Sequence, residues 1–151
     1  YDATGIDAVE FFISTNPGED LKPLAKVASG GEISRIMLAL KSALAKNDKL
    51  PLLIFDEIDT GISGRIAQKV GQALLDLSKH HQIIAITHLP QIAAFAEHHF
   101  VVEKANIDGR AISKIKYLFY EQRVLEIAKL ISGEQVTETS IESAKQLINS
   151  K

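Results

Sequence analysis

Two apolar runs, Leu52-Leu53-Ile54-Phe55 and the strand-like Gln82 to Thr87, limit what this chain can fold into more than any other feature. Each is short for a helix, and neither shows the alternation of a half-exposed strand. Both therefore read as strands covered on both faces, the environment of a parallel sheet. Between them Ser63 precedes a stretch in which Ile66, Val70, Ala73, Leu74 and Leu77 share a helical face. Strand, helix, strand in that order predicts an α/β fold with a mainly parallel sheet flanked by helices.

The flanking segments extend this pattern. Val9 to Ser14 reads as a strand closed by the turn-forming Asn16-Pro17-Gly18. A helix starts near Gly30, and the spacing of Ile33, Ile36, Met37, Leu40 and Leu44 predicts that this face packs inward. Pro90 stands where a short helix would begin. Phe100 to Lys104 and Ala111 to Phe119 read as a hairpin turning at Asp108-Gly109. Two amphipathic helices follow, Gln122 to Ile131 and Ser140 to Asn149, with Gly133 ending the first and Thr139-x-x-Glu142 capping the second. With 151 residues and neither a repeat nor a heptad run, residues 1–151 form one domain.

Composition excludes several classes. Seventeen Lys and Arg against nineteen Asp and Glu leave a net charge of -2 without a basic cluster, so the segment shows no nucleic-acid footprint of its own. No cysteine is present, which removes disulfides and thiolate metal sites and is compatible with a reducing cytoplasm. No run approaches the roughly 18 apolar residues of a membrane-spanning helix, and no signal peptide opens the chain. A start at Tyr1, with Met37 the sole methionine, suggests an excised fragment.

Three places can carry chemistry. Ala28-Ser29-Gly30-Gly31-Glu32 opens a helix. Ser29 and Glu32 alone could be a capping box. The glycines cost backbone entropy there, and they make sense if a bulky anion approaches the N–H groups and positive dipole end of the helix. Asp56 and Glu57 end a buried strand, where open α/β sheets place ligands. They could be solvated acids. On opposite faces of the strand, they could instead divide two tasks, Asp56 holding magnesium through its water shell and Glu57 accepting the proton of an attacking water. His88 follows the second buried strand at the same sheet edge, either as a structural residue or as a partner of phosphate or water. His80, His81, His98 and His99 read as surface residues, and no zinc-binding spacing is present. The chain has no G-x-x-x-x-G-K-[ST], so the loop that would cradle nucleotide phosphates is missing from it.

In this order and spacing the pieces resemble the C-terminal half of an ABC-type ATPase head. Ala28 to Glu32 resembles the signature motif, Leu52 to Glu57 the Walker B strand with its catalytic glutamate, Ile58 to Gly61 the D-loop, and His88 the switch histidine. The longer strings Asn16–Leu24, Ala28–Lys41, Phe55–Gly64 and Thr87–Ala96 are similar to the RecN family of SMC-like DNA double-strand-break repair proteins, and the similarity runs from about Gly5 to Leu147.

The resemblance implies a split head, with the phosphate-binding loop and a long antiparallel coiled coil outside this chain. It implies ATP and Mg2+ as cofactors, Glu57 and His88 as catalytic residues, Asp56 at the metal, and Ser29, Gly30, Gly31, Glu32 and Asp59 in contact with nucleotide. The implied partners are the N-terminal half of the same head, a second head joined through ATP, and DNA. The implied location is the cytoplasm near the nucleoid, with no membrane. On this reading the fragment alone is inactive. The competing readings are a transporter nucleotide-binding domain, against which Ile58 in the usual proline position argues, and a non-catalytic dimerisation module.

Overall fold

The computed structural model describes residues 5–14, 18, 20–27, 29–107 and 110–150. Its centre is the βαβ unit expected from the apolar runs. Strand β3, Leu52–Phe55, pairs in parallel with β4, Gln82–Ala85, in the register Leu52↔Gln82 to Phe55↔Ala85, and helix α3, Gly64–Leu77, makes the crossover. The segment before them holds β1, Phe12–Ile13, antiparallel to β2, Lys22–Pro23, then α1, Leu24–Val27, and α2, Gly30–Leu44. After β4 come the short α4, Pro90–Ala93, and a long antiparallel hairpin of β5, His99–Ile107, and β6, Arg110–Leu118. Helices α5, Tyr120–Ser132, and α6, Glu138–Asn149, close the chain. The turn expected at Asp108-Gly109, Asn16 and Pro17 of the earlier turn, and Ala28 at the head of the glycine motif lie outside the described residues.

Two apolar clusters hold this together. Leu38, Leu53, Phe55, Ile58, Ala67, Val70, Leu74, Leu77 and Ile92 pack α2, α3 and α4 against one face of the β3–β4 pair. Ala93, Ala94, Val124, Ile127, Ala128, Ala144 and Ile148 join α4 to the C-terminal helices. Burial of this kind is the main favourable term of folding, at about 25 cal/mol per Å2 of apolar surface.

Several expectations need correction. The two strands are covered on one face only: Leu53 and Phe55 are buried, whereas Ile54 is 62% exposed and Leu52, Ile84 and Ile86 are exposed beside it. Among the described residues no layer packs on that second face. Helix α2 also turns a different face inward. Gly31 and Leu38 are buried, while Ile33, Met37, Leu40 and Leu44 are exposed. The inward stripe runs through Gly31, Arg35 and Leu38, and its small and polar members are passed over by a search for apolar periodicity. The first strand is shorter than Val9 to Ser14, with ladder pairing only at Phe12 and Ile13.

Helix α6 begins earlier than Ser140. Thr137, not Thr139, is its cap: the Thr137 hydroxyl oxygen accepts from the Ser140 N–H at 3.2 Å. Gly133 does end α5, at φ +76°. His81 is buried, with Nδ1 2.6 Å from the Leu50 carbonyl oxygen, and His99 is half-buried.

Candidate functional site

The N-terminus of α2, the tip of β3 and the segment after β4 meet at one end of the βαβ unit. Strand β3 stops at Phe55, and the chain turns sharply: the Thr60 N–H bonds the Glu57 carbonyl at 3.0 Å. Glu57 takes φ +55°, the left-handed region in which a residue with a Cβ is strained. Such strain costs on the order of 1–3 kcal/mol and gathers at functional sites. Asp56 steadies the turn by accepting the Glu57 N–H on Oδ1 at 2.9 Å, and both acids remain exposed.

Helix α2 is bolted to this turn. The Ser34 hydroxyl donates to the Asp56 carbonyl at 2.7 Å. The Arg35 guanidinium donates to the carbonyls of Ile58 and Thr60. Gly31 explains the close approach: a Cβ there would stand 2.9 Å from the carbonyl oxygens of Glu57 and Thr60. At Gly30 a Cβ would run into the Glu57 carboxylate. Both glycines thus have a packing reason within the chain, beside any reason supplied by a ligand.

The capping box is formed. The Ser29 N–H donates to Glu32 Oε2 at 2.9 Å and the Glu32 N–H to Ser29 Oγ at 3.3 Å. The bond from the Ser29 backbone, then that from its hydroxyl, holds the Glu32 carboxyl below its ordinary value. Gly30 and Gly31 lie in the first turn, where N–H groups have no acceptor within the helix.

Asp59 and His88 meet on the other side. Asp59 is buried, and its Oδ2 accepts from the Thr87 hydroxyl at 2.6 Å and the His88 N–H at 2.7 Å, with His88 Nδ1 3.0 Å away. Burial alone would raise the Asp59 pKa. The bonds from the Thr87 hydroxyl and the His88 N–H outweigh it and leave the carboxyl below its ordinary value. Every residue read from the sequence therefore falls at this end of the fold, except that Asp59 has its acceptor oxygen engaged inside its own chain. Arg35, Ser34 and Thr87 were not singled out from the sequence, because no motif marks a side chain that serves a loop some twenty or more residues away.

Comparison with known proteins identifies the fold. A chain from work on ATP-driven dimerization and DNA-stimulated activation of SMC ATPases matches with TM-score 0.51 and 27% identity over 82% of this chain and 81% of that one. The Smc head domain with coiled coil and joint from Pyrococcus yayanosii matches with TM-score 0.56 and 24% identity over 80% of this chain and 25% of that one, a likeness of fold. The fold is that of an SMC-type ATPase head lobe. No protein-family model matches the chain.

Curated relatives narrow the class. The DNA repair protein RecN of Halalkalibacterium halodurans is 49% identical over 145 residues, 96% of this chain and 26% of that protein. RecN of Bacillus subtilis is 47% identical over 144 residues, 95% of this chain and 25% of the relative, and RecN of Vibrio cholerae is 46% identical over 95% of this chain and 26% of the relative. In sequence the chain matches RecN nearly from end to end and corresponds to the C-terminal part of that protein. It spans about a quarter of the length of these relatives.

Proposed function

We propose that this chain is the C-terminal lobe of an ATP-hydrolysing, SMC-like head that acts in DNA double-strand-break repair. The observation that carries the reading is the convergence, at one sheet edge, of a glycine-opened helix mouth, two exposed carboxylates and an anchored imidazole. The DNA-repair part comes from the RecN relatives, and ATP-driven head pairing from the SMC neighbour. A transporter domain is not favoured, since the curated relatives are DNA repair proteins.

The residues fit the implied cofactors as half of a site. Among the described residues no group of three His, Asp or Glu side chains could hold a metal ion. Magnesium bound chiefly by nucleotide phosphates and water needs only one or two protein carboxylates, and Asp56 is the exposed acid that supplies one. When bound, the ion neutralises phosphate charge. Glu57 takes the proton of the attacking water, and the strained turn keeps its carboxylate at the rim. Ser29, Gly30, Gly31 and Glu32 form the helix mouth that meets nucleotide held by an opposing head. His88 contacts phosphate or water through its outward nitrogen. These roles are largely positional and electrostatic, as in other phosphoryl transfers.

The bare side of the sheet supports the partner assignment. Leu52, Ile54 and Ile84 on the paired strands, with Ile86 just beyond β4, form an exposed apolar strip, the surface on which the remaining, phosphate-binding half of the head would pack. The chain alone is then expected to hydrolyse essentially no ATP. The protein acts in the cytoplasm near the nucleoid; no helix among the described residues is long and apolar enough to cross a membrane.

The test is Glu57→Gln in the complete protein. ATP binding is retained and turnover falls roughly 10²–10⁴-fold, the range of a general base, whereas Asp56→Asn weakens magnesium-dependent binding. Equal loss of binding in both variants, with turnover per bound ATP unchanged, would overturn the assignment of roles.

A further inference from the structure

Asp59 stands three residues beyond the proposed metal carboxylate, and its side chain turns inward. It is 3% exposed, and one of its oxygens, Oδ2, gathers the Thr87 hydroxyl, the His88 N–H and the His88 imidazole. Thr87 in turn accepts the Leu89 N–H on the same hydroxyl oxygen at 3.1 Å, so the segment leading into α4 is fixed by a closed set of bonds. The His88 side chain is 74% exposed despite this anchorage. A histidine that served only to fill space would not keep its ring in water while tying one nitrogen to a buried carboxylate.

An ionised carboxylate can only accept, so the Nδ1 facing it must carry a proton. The hydrogen bond made by one ring nitrogen sets the state of the other. We propose that Asp59 is a positioning residue for His88: it holds the imidazole as the Nδ1–H tautomer and leaves Nε2 facing outward as the free acceptor nitrogen. Asp59 then acts through His88 and not by touching nucleotide. The lowered Asp59 pKa agrees, since it keeps the carboxylate ionised as an acceptor. The assignment rests on the functional reading above for its catalytic consequence, though not for the tautomer itself.

Two measurements decide it. In the 151-residue chain labelled with 15N-histidine, long-range 1H–15N spectra at mildly alkaline pH report the His88 tautomer. Nδ1–H is expected in the native chain, with a shift toward Nε2–H in Asp59→Asn, whose neutral amide holds the Nδ1 proton less strongly than the carboxylate does. An Nε2–H ring, or one protonated at both nitrogens, in the native chain overturns the proposal.

In the complete protein, Asp59→Asn lowers kcat on the order of 10²-fold with KM for ATP little changed, the pattern of a misoriented catalytic side chain rather than a lost binding contact. The variant carrying both Asp59→Asn and His88→Ala turns over no more slowly than His88→Ala alone. Additive losses, or a rise in KM with kcat intact, would make Asp59 an independent ligand and overturn the proposal. If the complete protein hydrolyses no ATP, the functional reading fails while the imidazole spectrum still decides the tautomer.

Discussion

Arg35 donates to the carbonyl of Thr60 at 2.7 Å, and the same guanidinium nitrogen reaches the carbonyl of Ile58 at 3.1 Å. One side chain from α2 thereby holds two successive bends of the turn that carries Asp56 and Glu57. Charge-assisted bonds such as these are the stronger kind. Arg35→Ala is expected to cost about 1–3 kcal/mol of stability, read as a lower urea midpoint with an unchanged slope. Arg35→Lys recovers only part of it, since an ammonium does not reproduce the planar guanidinium.

The two glycines of the helix mouth separate under substitution. At Gly31 a new Cβ meets the backbone oxygens of Glu57 and Thr60, which cannot swing away. Overpacking of that kind costs typically about 1–3 kcal/mol, so Gly31→Ala lowers the melting temperature and pushes the turn outward. At Gly30 the obstacle is the far end of the Glu57 side chain, which rotates at little cost. Gly30→Ala therefore leaves thermal stability nearly unchanged. Equal melting temperatures for the two variants would contradict this packing.

Those glycines also show what could be read from the sequence and what could not. The βαβ unit, the hairpin and both C-terminal helices were legible because apolar runs and periodicity report local burial. That Ser29 to Glu32 open a helix and that Asp56 and Glu57 follow a strand tip was legible, because residues at such places keep their position whatever packs around them. The inward face of α2 was not, because Gly31 and Arg35 enter the interior by absence of bulk and by hydrogen bonding, neither of which has an apolar signature. The exposed Leu52 and Ile54 were read as doubly covered for a related reason: apolarity marks a surface meant to be buried, and says nothing of whether the covering layer belongs to the same chain. His81 and His99 were misread because adjacent histidines in a polar junction look alike in sequence, although one of each pair points inward.

His99 gives the fold a dependence on pH. Burial, and then the neighbouring Arg123 charge, hold its pKa below the ordinary value, against a smaller opposing pull from Glu126. Its Nδ1 is buried without a hydrogen-bond partner among the described residues. The folded chain therefore binds a proton at His99 less readily than the unfolded chain does. Stability from this group is fully present above the unfolded pKa of about 6.5 and falls as pH drops through it toward the folded value. Urea midpoints between about pH 7.5 and about pH 5.5, a range that brackets that titration, should decline in the native chain and decline less in His99→Phe. An equal decline in both would place the pH dependence elsewhere.

Ile54 offers the cleanest separation between folding of this lobe and assembly of the head. It lies on β3 between the buried Leu53 and Phe55, yet it is itself 62% exposed and faces the bare side of the sheet with Ile84 opposite in register. A charge there meets only water while the lobe is alone, so Ile54→Lys should leave the melting temperature of this chain close to the native value. The control is Leu53→Lys, which strikes the buried face of the same strand and unfolds the lobe itself. In the complete protein the lysine at position 54 would be forced under the proposed covering half. Burying an unpaired ammonium is costly enough to prevent close docking, so ATP binding and turnover should both collapse, with the two halves of the head readily separated by limited proteolysis. Full ATPase activity in the Ile54→Lys protein would show that this strip is open in the whole molecule and that the covering half packs somewhere else.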